Sequence, residues 1–479
     1  MLRADRQLNA ELVDEDILVA PGTAVALTTP IHELIQTETD INFGDAGGGA
    51  GINFGDPSGG ADINFGDTSG GADINFGDPS GGAGMAASGL VIYGDQDPRN
   101  RHDTLVGGTG DDSIFGIDGN DYLYGRAGDD LLFGGDSSDH LYGGDDASGY
   151  LTSRPDKLYG GSGIDYLYGG KVILYANELY GGDDTDYLYS GDTSSLYGGN
   201  GSDNLYGGPN AFTDYLYGGA DDDLLSQGEQ LYGGSGQDSL IGTSSRDDMD
   251  GGTDDDYLTG LGGIDLLSGE AGDDRLYGGA EGDDLHGGAG NDQLSGGDGN
   301  DSLYGQNDSD NLFGGFGNDS IHGDTGQVGT PGNAGNDQMF GAQGFDSLSG
   351  DAGNDELYGG SENDSLFGGI GNDLLNGGKG VDNLLGGSGF DNFYFGTTDS
   401  GNAGAGQADI IHDFTNDDQI YLQGSYTYAG RTSTPGEDQY GIWQSSNVWV
   451  VTWNSSSDSI YHDVVIIGDD PLGDISLFT

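Results

Sequence analysis

The feature that most constrains this chain is a nine-residue repeat that stays in phase over long stretches. From Gly233 to Gly386 a glycine recurs every nine residues, and an aspartate follows each glycine five positions later. Two positions after the aspartate stands a large apolar residue. The only departures, Val328 at an aspartate position and Thr330 at an apolar position, fall in a single repeat, and residues 103–141 keep the same phase. A phase held this long indicates a stack of equal structural units.

The physical chemistry of one repeat predicts a short strand and a tight turn. Gln293-Leu294-Ser295 can form a strand with the leucine pointing inward and its neighbours outward. The Gly-Gly-x-Gly-x-Asp portion then turns the chain, because glycine adopts positive φ without a Cβ clash. The aspartate ends the turn, where it can face the aspartate of a stacked neighbour. Carboxylates about 4.8 Å apart repel each other unless a cation lies between them, and oxygen-only ligands suit Ca²⁺.

The pattern GGxGxDxUx, in which U is a large apolar residue, resembles the nonapeptide of the RTX (repeats-in-toxin, hemolysin-type calcium-binding) family. The resemblance covers roughly residues 94 to 395. It implies an all-β fold, a parallel β-roll or β-solenoid with two nonapeptides per coil. It also implies several structural Ca²⁺ ions, held between successive turns by aspartate carboxylates and glycine carbonyls.

The carboxylate ligands that the resemblance implies are the aspartates of the regular repeats: Asp112, Asp121, Asp130, Asp238, Asp247, Asp256, Asp265, Asp274, Asp283, Asp292, Asp301, Asp310, Asp319, Asp337, Asp346, Asp355, Asp364, Asp373, Asp382 and Asp391. The carbonyl ligands that it implies are glycines of the turns: Gly287, Gly290, Gly296, Gly299, Gly314, Gly317, Gly368, Gly371, Gly377 and Gly380.

Between residues 143 and 232 the strand phrase LYGG persists at irregular spacings. Asn177, Ser194 and Glu229 stand where the regular repeats have aspartate. We interpret this segment as a continuation of the roll with fewer cation sites and loops of unequal length. Its outward tyrosines would form a ladder along one face, which is either an interaction surface or simply a residue type that suits strands. Counting one strand per apolar position predicts 32 strands from Leu105 to Phe393.

Charge and composition exclude several classes of protein. The chain has 83 acidic and 12 basic residues and a formal net charge of −71, so it would repel nucleic acid and attract multivalent cations. There is no cysteine, which excludes disulfides and thiolate metal sites. No apolar run approaches the roughly 18 residues of a transmembrane helix.

We predict four segments: an N-terminal segment at 1–36, a glycine-rich segment of eleven-residue INFGD repeats at 37–89, the β-roll at 90–395, and a C-terminal β-rich cap at 396–479. The INFGD repeats have three possible interpretations: a small solenoid turn, a strand that pairs with the open sheet edge of another subunit, or a flexible tether. The absence of an N-terminal signal peptide and the terminal GDISLFT favour a partnership with type I secretion machinery and an extracellular or bacterial cell-surface location.

The motifs of common enzymes are missing from the sequence. The phrase at His32 lacks the second histidine of a zinc-protease motif, and no GxSxG turn is present. We therefore expect no catalytic activity. Two functions remain open: a calcium-rigidified rod that assembles with itself or other surface components into a layer, sheath or fibril, and a secreted monomeric adhesin or carbohydrate-binding module.

Overall fold

The computed structural model describes residues 90–94, 102–144, 155–170, 176–191, 193–208, 214–324, 335–396, 408–415, 417–423, 427–428, 439–445, 448–454, 461–468 and 475–478. The chain divides into two units, Met1–Phe76 and Gly77–Thr479, and every described residue belongs to the second. The predicted N-terminal segment and the INFGD repeats lie outside the described residues. All regular secondary structure in the described part is β-strand, and it contains no helix of the length and apolarity that a membrane crossing requires.

The repeats form short strands because each places one apolar residue between two outward residues and is bounded by glycine turns. In chain order these strands are β1 (Val91–Tyr93), β2 (Thr104–Val106), β3 (Ser113–Asp118), β4 (Tyr122–Arg126), β5 (Leu131–Asp136), β6 (His140–Gly144), β7 (Lys157–Ser162), β8 (Tyr166–Tyr168), β9 (Asn177–Asp183), β10 (Tyr187–Tyr189), β11 (Ser194–Asn200), β12 (Asn204–Tyr206), β13 (Tyr215–Ala220), β14 (Leu224–Ser226), β15 (Gln230–Ser235), β16 (Ser239–Ile241), β17 (Asp248–Thr253), β18 (Tyr257–Thr259), β19 (Leu266–Ala271), β20 (Arg275–Ala280), β21 (Asp284–Ala289), β22 (Gln293–Asp298), β23 (Ser302–Asn307), β24 (Asn311–Phe316), β25 (Ser320–Asp324), β26 (Gln338–Gln343), β27 (Ser347–Ser349), β28 (Glu356–Ser361), β29 (Ser365–Ile370), β30 (Leu374–Lys379), β31 (Asn383–Ser388) and β32 (Asn392–Phe395).

Consecutive strands alternate between two parallel sheets, so that odd-numbered strands pair with odd and even with even. In the even sheet, β22 lies between β20 and β24, with Leu294 opposite Leu276 and Leu312. The step between paired residues is 18, which is two nonapeptides. The prediction of a parallel β-roll with two repeats per coil is confirmed.

A single column of apolar side chains from each sheet forms the core. Leu276, Leu294 and Leu312 are at most 1% exposed, and the apolar residues of the other repeats are similarly buried. Each such column is continuous because the register is strict, and a shift of one residue would turn every apolar side chain outward.

The repeat that carries Val328 and Thr330 adds no strand to the described ladders. β25 ends at Asp324, β26 begins at Gln338, and the step from β24 to β26 is 27 residues in place of 18. The described roll therefore has 31 strands from β2 to β32, one fewer than predicted. Val328 and Thr330 themselves lie outside the described residues.

The stack continues past the boundary predicted at residue 396. The strands that follow are β33 (Asp409–Phe414), β34 (Gln419–Gln423), β35 (Thr427–Tyr428), β36 (Gln439–Ser445), β37 (Val448–Asn454), β38 (Tyr461–Gly468) and β39 (Ile475–Phe478). β33 and β34 pair in parallel with β31 and β32, and they bury Ile411 and Ile420 in the same core. β36, β37 and β38 then form an antiparallel ribbon whose last strand pairs with β33.

Candidate metal centres

Two ladders of carboxylates follow the turns of the roll, one preceding the even-numbered strands and one preceding the odd-numbered strands. In each ladder the backbone N–H of one aspartate donates to Oδ1 of the equivalent aspartate in the next coil, as from Asp274 to Asp292 at 2.8 Å. All twenty predicted aspartates belong to one of these ladders, and their side chains are at most 3% exposed.

The first ladder runs through the even-strand turns without a break. Its members are Asp103, Asp121, Asp139, Asp165, Asp186, Asp203, Asp223, Asp238, Asp256, Asp274, Asp292, Asp310, Asp337, Asp355, Asp373, Asp391 and Asp418.

The second ladder follows the odd-strand turns and changes chemistry in its middle. Its members are Asp112, Asp130, Asp156, Asn177, Ser194, Asp214, Glu229, Asp247, Asp265, Asp283, Asp301, Asp319, Asp346, Asp364, Asp382 and Asp409.

The second carboxylate oxygen, Oδ2, is the atom that points to a cation. In many ladder aspartates this oxygen is buried and has no hydrogen-bond partner, which is costly for a charged group unless something else compensates it. Fourteen of the predicted aspartates share this feature: Asp238, Asp256, Asp265, Asp274, Asp283, Asp292, Asp301, Asp310, Asp319, Asp337, Asp346, Asp355, Asp364 and Asp373. Asp112 and Asp247 differ, because their Oδ2 atoms accept N–H bonds from Gly108 and Thr243.

Sequence reasoning missed five residues with the same geometry, all in the first ladder. Asp139, Asp165, Asp186, Asp203 and Asp223 are buried, hydrogen-bonded through Oδ1, and unpartnered at Oδ2. The signal was present, since each stands two residues before a core leucine. Asp139 keeps the regular phase of residues 103–141 and could have been predicted from it, whereas the unequal loops between residues 143 and 232 hid the other four. All of those length changes fall in the turns of the second ladder.

In the absence of a cation, burial strongly raises the pKa of these carboxyl groups. Desolvation raises the pKa of Asp292 to about 7, and that of Asp310 and of Asp355 to about 9. Backbone hydrogen bonds oppose the shift in each case, and neighbouring ladder carboxylates add to it. A positive charge beside Oδ2 would reverse this balance and favour the ionised form.

Glycine is required where the turn passes close to these oxygens. A Cβ on Gly287 would meet Oδ2 of Asp292, and the carbonyl oxygen of Gly305 lies 2.7 Å from the same point. Gly290 has a φ of +136° and faces the carbonyl oxygen of Gly272 in the preceding coil. At the first glycine position, the turn thus brings the carbonyl oxygen of Gly305 close to Oδ2 of Asp292.

The predicted carbonyl donors occupy these two glycine positions. Gly287, Gly296, Gly314, Gly368 and Gly377 hold the first, where an added Cβ would meet Oδ2 of the following aspartate. Gly290, Gly299, Gly317, Gly371 and Gly380 hold the second, and each has positive φ.

These donors fit a hard divalent cation that is bound by oxygen alone. Carboxylate and main-chain carbonyl oxygens are the ligands of Ca²⁺, which accepts six to eight of them in flexible geometry. Within the described ranges, no three histidine, aspartate or glutamate side chains converge as a metal-holding group. Any cation at these turns would therefore depend on one or two carboxylates together with glycine carbonyls.

Asn177 and Asp214, in the middle of the second ladder, have hydrogen-bond partners for their side chains, whereas Oγ of the neighbouring Ser194 is buried without one. The side-chain amide of Asn177 donates to the carbonyl oxygen of Gly169 at 2.6 Å, and its Oδ1 accepts from the N–H of Asp156. Asp214 accepts from the N–H groups of Gly208 and Ser194. An uncharged amide with hydrogen bonds on both sides leaves no uncompensated oxygen at this turn.

Aromatic side chains form stacks on the outer surfaces of both sheets in the same part of the roll. Ring centroids within each stack are 4.7–5.0 Å apart. On the odd sheet the stack is Tyr93, Phe115, Phe133, Tyr159, Tyr180, Tyr197, Tyr217 and Tyr232. On the even sheet the stacks are Tyr124, Tyr142, Tyr168, Tyr189 and Tyr206, and Tyr122, His140, Tyr166 and Tyr187. The prediction of a ladder on one face was wrong in this respect, because the tyrosines follow both sheets.

Comparison with known proteins identifies the repeat. A family model described as RTX calcium-binding nonapeptide repeat matches more than half of the chain. The matching residues are 99–132, 115–148, 150–171, 175–194, 194–211, 227–258, 250–285, 259–294, 295–327, 331–366 and 358–393. No curated protein matches the chain significantly.

Among solved structures, the crystal structure of the extracellular lipase LipA from Serratia marcescens matches at 16% identity and a TM-score of 0.20. That match covers 51% of this chain and 40% of the lipase, so the chain spans less than half of the lipase's length. A likeness of this size carries no inference about activity.

Proposed function

This chain belongs to the RTX calcium-binding nonapeptide repeat family, and we propose its function on that basis. It is a calcium-binding repeat protein of the secreted type. We infer further that it is a non-catalytic structural protein. In this proposal its roll is stiffened by Ca²⁺ and assembles into a layer, sheath or fibril at a bacterial cell surface.

The unbroken first ladder is the observation that carries this proposal. It passes through every coil from Asp103 to Asp418, so the same oxygen donors recur along the whole described roll. A bound Ca²⁺ supplies the positive charge that compensates the negative charge of the buried carboxylates. We assign the twenty predicted aspartates as ligands and add Asp139, Asp165, Asp186, Asp203 and Asp223 to them.

The ladder carboxylates and the turn glycines determine the conditions under which the roll folds. Without a cation, the ladder carboxylates must either hold protons or repel one another, and both options weaken the stack at neutral pH. Glycine-rich turns lose much conformational entropy on folding, which adds to this cost. A chain made in a calcium-poor cytosol would stay unfolded for export and fold in calcium-rich surroundings, because ligand binding to the native state stabilises it.

The geometry of the aromatic stacks favours assembly over glycan binding. Neighbouring rings cover each other's faces, with interplanar angles of 3–9° in the stack from Tyr124 to Tyr206. For the rings between the two ends of this stack, only ring edges and hydroxyl groups remain open to a partner, so these rings offer no free aromatic face for a sugar ring.

Light scattering of the full chain during a calcium titration tests this function. We expect growth from the metal-free chain into large particles, reversal by chelator, and no growth when Mg²⁺ replaces Ca²⁺. A single compact particle at every calcium concentration would contradict the assembly role and favour a monomeric adhesin.

A further inference from the structure

One part of the even sheet presents an unusually dense aromatic surface, which we call the aromatic face. It consists of the two residues that flank the buried leucine in each of β4, β6, β8, β10 and β12, and the exposed Arg126 at the end of β4 lies beside it. Its members are Tyr122, Tyr124, His140, Tyr142, Tyr166, Tyr168, Tyr187, Tyr189, Asn204 and Tyr206. These residues form two columns, one on each side of the buried leucine column, and nine of the ten carry a ring. Tyr122 is 39% exposed and the other nine are partly exposed.

The aromatic face is free of charged side chains in a chain with a formal net charge of −71. None of its ten residues is aspartate, glutamate, lysine or arginine. A second copy of the chain carries the same charge, so most surfaces of two copies repel each other. At this face two copies can approach without bringing carboxylates together. A cationic partner would be drawn to the acidic turns instead.

The rings of the aromatic face repeat with the strand spacing of the roll. Tyr142 and Tyr168 are stacked at 4.8 Å, and Tyr168 and Tyr189 at 4.9 Å, because the strand spacing of the roll fixes the period. The exposed ring edges form two parallel columns, one on each side of the buried leucine column. A second copy presents two columns of the same period, so the columns of two copies can pack beside one another along their length. In-register stacks of identical side chains pack against each other in this way at dry sheet interfaces.

We propose that the aromatic face is the surface through which two copies of this chain pack together, sheet against sheet, with their tyrosine rows interdigitated. This inference rests on the proposed assembly function and names the interface that the assembly uses. The contact is isologous, so each copy contributes the same residues. Aromatic side chains supply most of the binding energy, since they bury large areas with little loss of conformational entropy.

Charge introduced into the aromatic face tests the interface. The double variant Tyr142→Glu/Tyr168→Glu places two carboxylates in the centre of the face. Its matched control, Tyr197→Glu/Tyr217→Glu, changes a stacked pair of the odd sheet whose rings are 4.9 Å apart. Sedimentation velocity of the full chain in Ca²⁺ should show wild type and control assembling alike. The face variant should need at least about tenfold more protein, since each 1.4 kcal/mol of lost affinity is tenfold. Circular dichroism should show calcium-induced folding in all three.

Cross-linking provides a second test of the interface, which can still be interpreted if a substitution partly destabilises the roll. The chain has no cysteine, so a single Tyr168→Cys or Tyr217→Cys substitution provides a unique attachment point. With a short bis-maleimide in Ca²⁺, the Tyr168→Cys chain should form covalent dimers and the Tyr217→Cys chain should remain monomeric.

The outcomes separate this inference from the function on which it rests. A wild-type chain that folds with Ca²⁺ but stays monomeric contradicts the assembly function itself. Wild-type assembly that the face variant matches at the same concentration overturns only the interface, as would equal cross-linking at the two cysteines. Assembly that occurs only after a neutral polysaccharide is added would assign the face to that polymer and also overturn the proposal.

Discussion

The backbone N–H of Asp274 donates a 2.8 Å hydrogen bond to Oδ1 of Asp292, its equivalent two nonapeptides later. Asp292 in turn donates from its own N–H to Oδ1 of Asp310 at 2.8 Å. One oxygen of Asp292 therefore holds the coils in register, and the other is buried without a hydrogen-bond partner. If that second oxygen binds Ca²⁺, as we propose, the same side chain couples the stacking of coils to metal binding.

Neutralising one ladder carboxylate should weaken calcium-induced folding. In Asp292→Asn the amide keeps an oxygen for the N–H of Asp274 but lacks the negative charge that Ca²⁺ requires. We expect a higher calcium midpoint and a loss of one or two bound ions per chain, measured by circular dichroism and calorimetry. Asp298→Asn removes the same charge from an exposed position and should leave both quantities unchanged. Equal behaviour of the two variants would contradict the assignment of Asp292.

A methyl group at the first turn glycine should disrupt the site without changing charge. The Cβ of Gly287→Ala would overlap Oδ2 of Asp292, so the carboxylate or the turn must move. We expect a higher calcium midpoint and a lower urea midpoint in Ca²⁺. The matched control is Gly262→Ala, whose Cβ would meet nothing closer than 3.8 Å. A Gly287→Ala chain that binds calcium as wild type does would show that this turn holds no ion.

Converting Asn177 to aspartate should make a metal-independent turn depend on metal. The variant Asn177→Asp loses the amide bond to the carbonyl oxygen of Gly169 and gains a buried carboxylate. We expect a lower urea midpoint at the lowest Ca²⁺ concentration that folds the wild-type chain, and a larger gain in midpoint as Ca²⁺ rises to saturation. Asn311→Asp adds the same charge at an outward position of β24 and serves as the control. An Asn177→Asp chain with unchanged stability at that low Ca²⁺ concentration would contradict the role of that hydrogen bond.

The metal-free roll should become less stable as pH rises. Burial raises the pKa of Asp301 and Asp319 to about 6, of Asp292 to about 7 and of Asp310 to about 9, all above the ordinary value near 3.9. The folded chain thus holds protons that the unfolded chain releases. These protons contribute fully to the free energy of unfolding below about pH 4. The contribution is lost as the pH rises through the pKa values of the folded chain.

The folded fraction of the metal-free chain at pH 5 and at pH 8, measured by circular dichroism, tests this dependence and should be higher at pH 5. With saturating Ca²⁺ the urea midpoint should instead be higher at pH 8, because protons compete with the cation for the same oxygens. A metal-free chain that gains stability between pH 5 and pH 8 would show that the ladder carboxylates are not the groups that limit folding.

The repeat predicted the architecture well because each nonapeptide determines its own local structure. The period of nine, the apolar position of Leu294 and the turn glycines together determine the strand, the sheet face and the register. The ligand positions followed from the same phase, and all twenty predicted aspartates lie on the ladders. The assignment of bound Ca²⁺ to them stays a prediction.

The irregular middle was harder to predict because register there depends on pairing between distant residues. Asp165 and Asp186 belong to the first ladder, yet the loops between them differ in length from a regular repeat. The nine-residue step survives from Asp156 to Asp165 and from Asn177 to Asp186, so every insertion falls in a turn of the second ladder. Counting a single phase across the unequal loops does not detect these surviving steps, whereas the pairing of strands shows them directly. The same limit applies to Val328, whose repeat is left out of the described ladder.

We propose that Ca²⁺ at the aspartate ladders folds this chain into a parallel roll. The decisive measurement is far-ultraviolet circular dichroism of the full, metal-free chain during titration with Ca²⁺, and separately with Mg²⁺. We expect a largely unfolded spectrum at neutral pH without metal and a cooperative rise of β-sheet signal with Ca²⁺. Mg²⁺ at the same concentrations should produce little change, because it demands a more rigid octahedral site. A chain that is already fully β-sheet in chelator at neutral pH, and unchanged by Ca²⁺, would show that calcium does not drive folding.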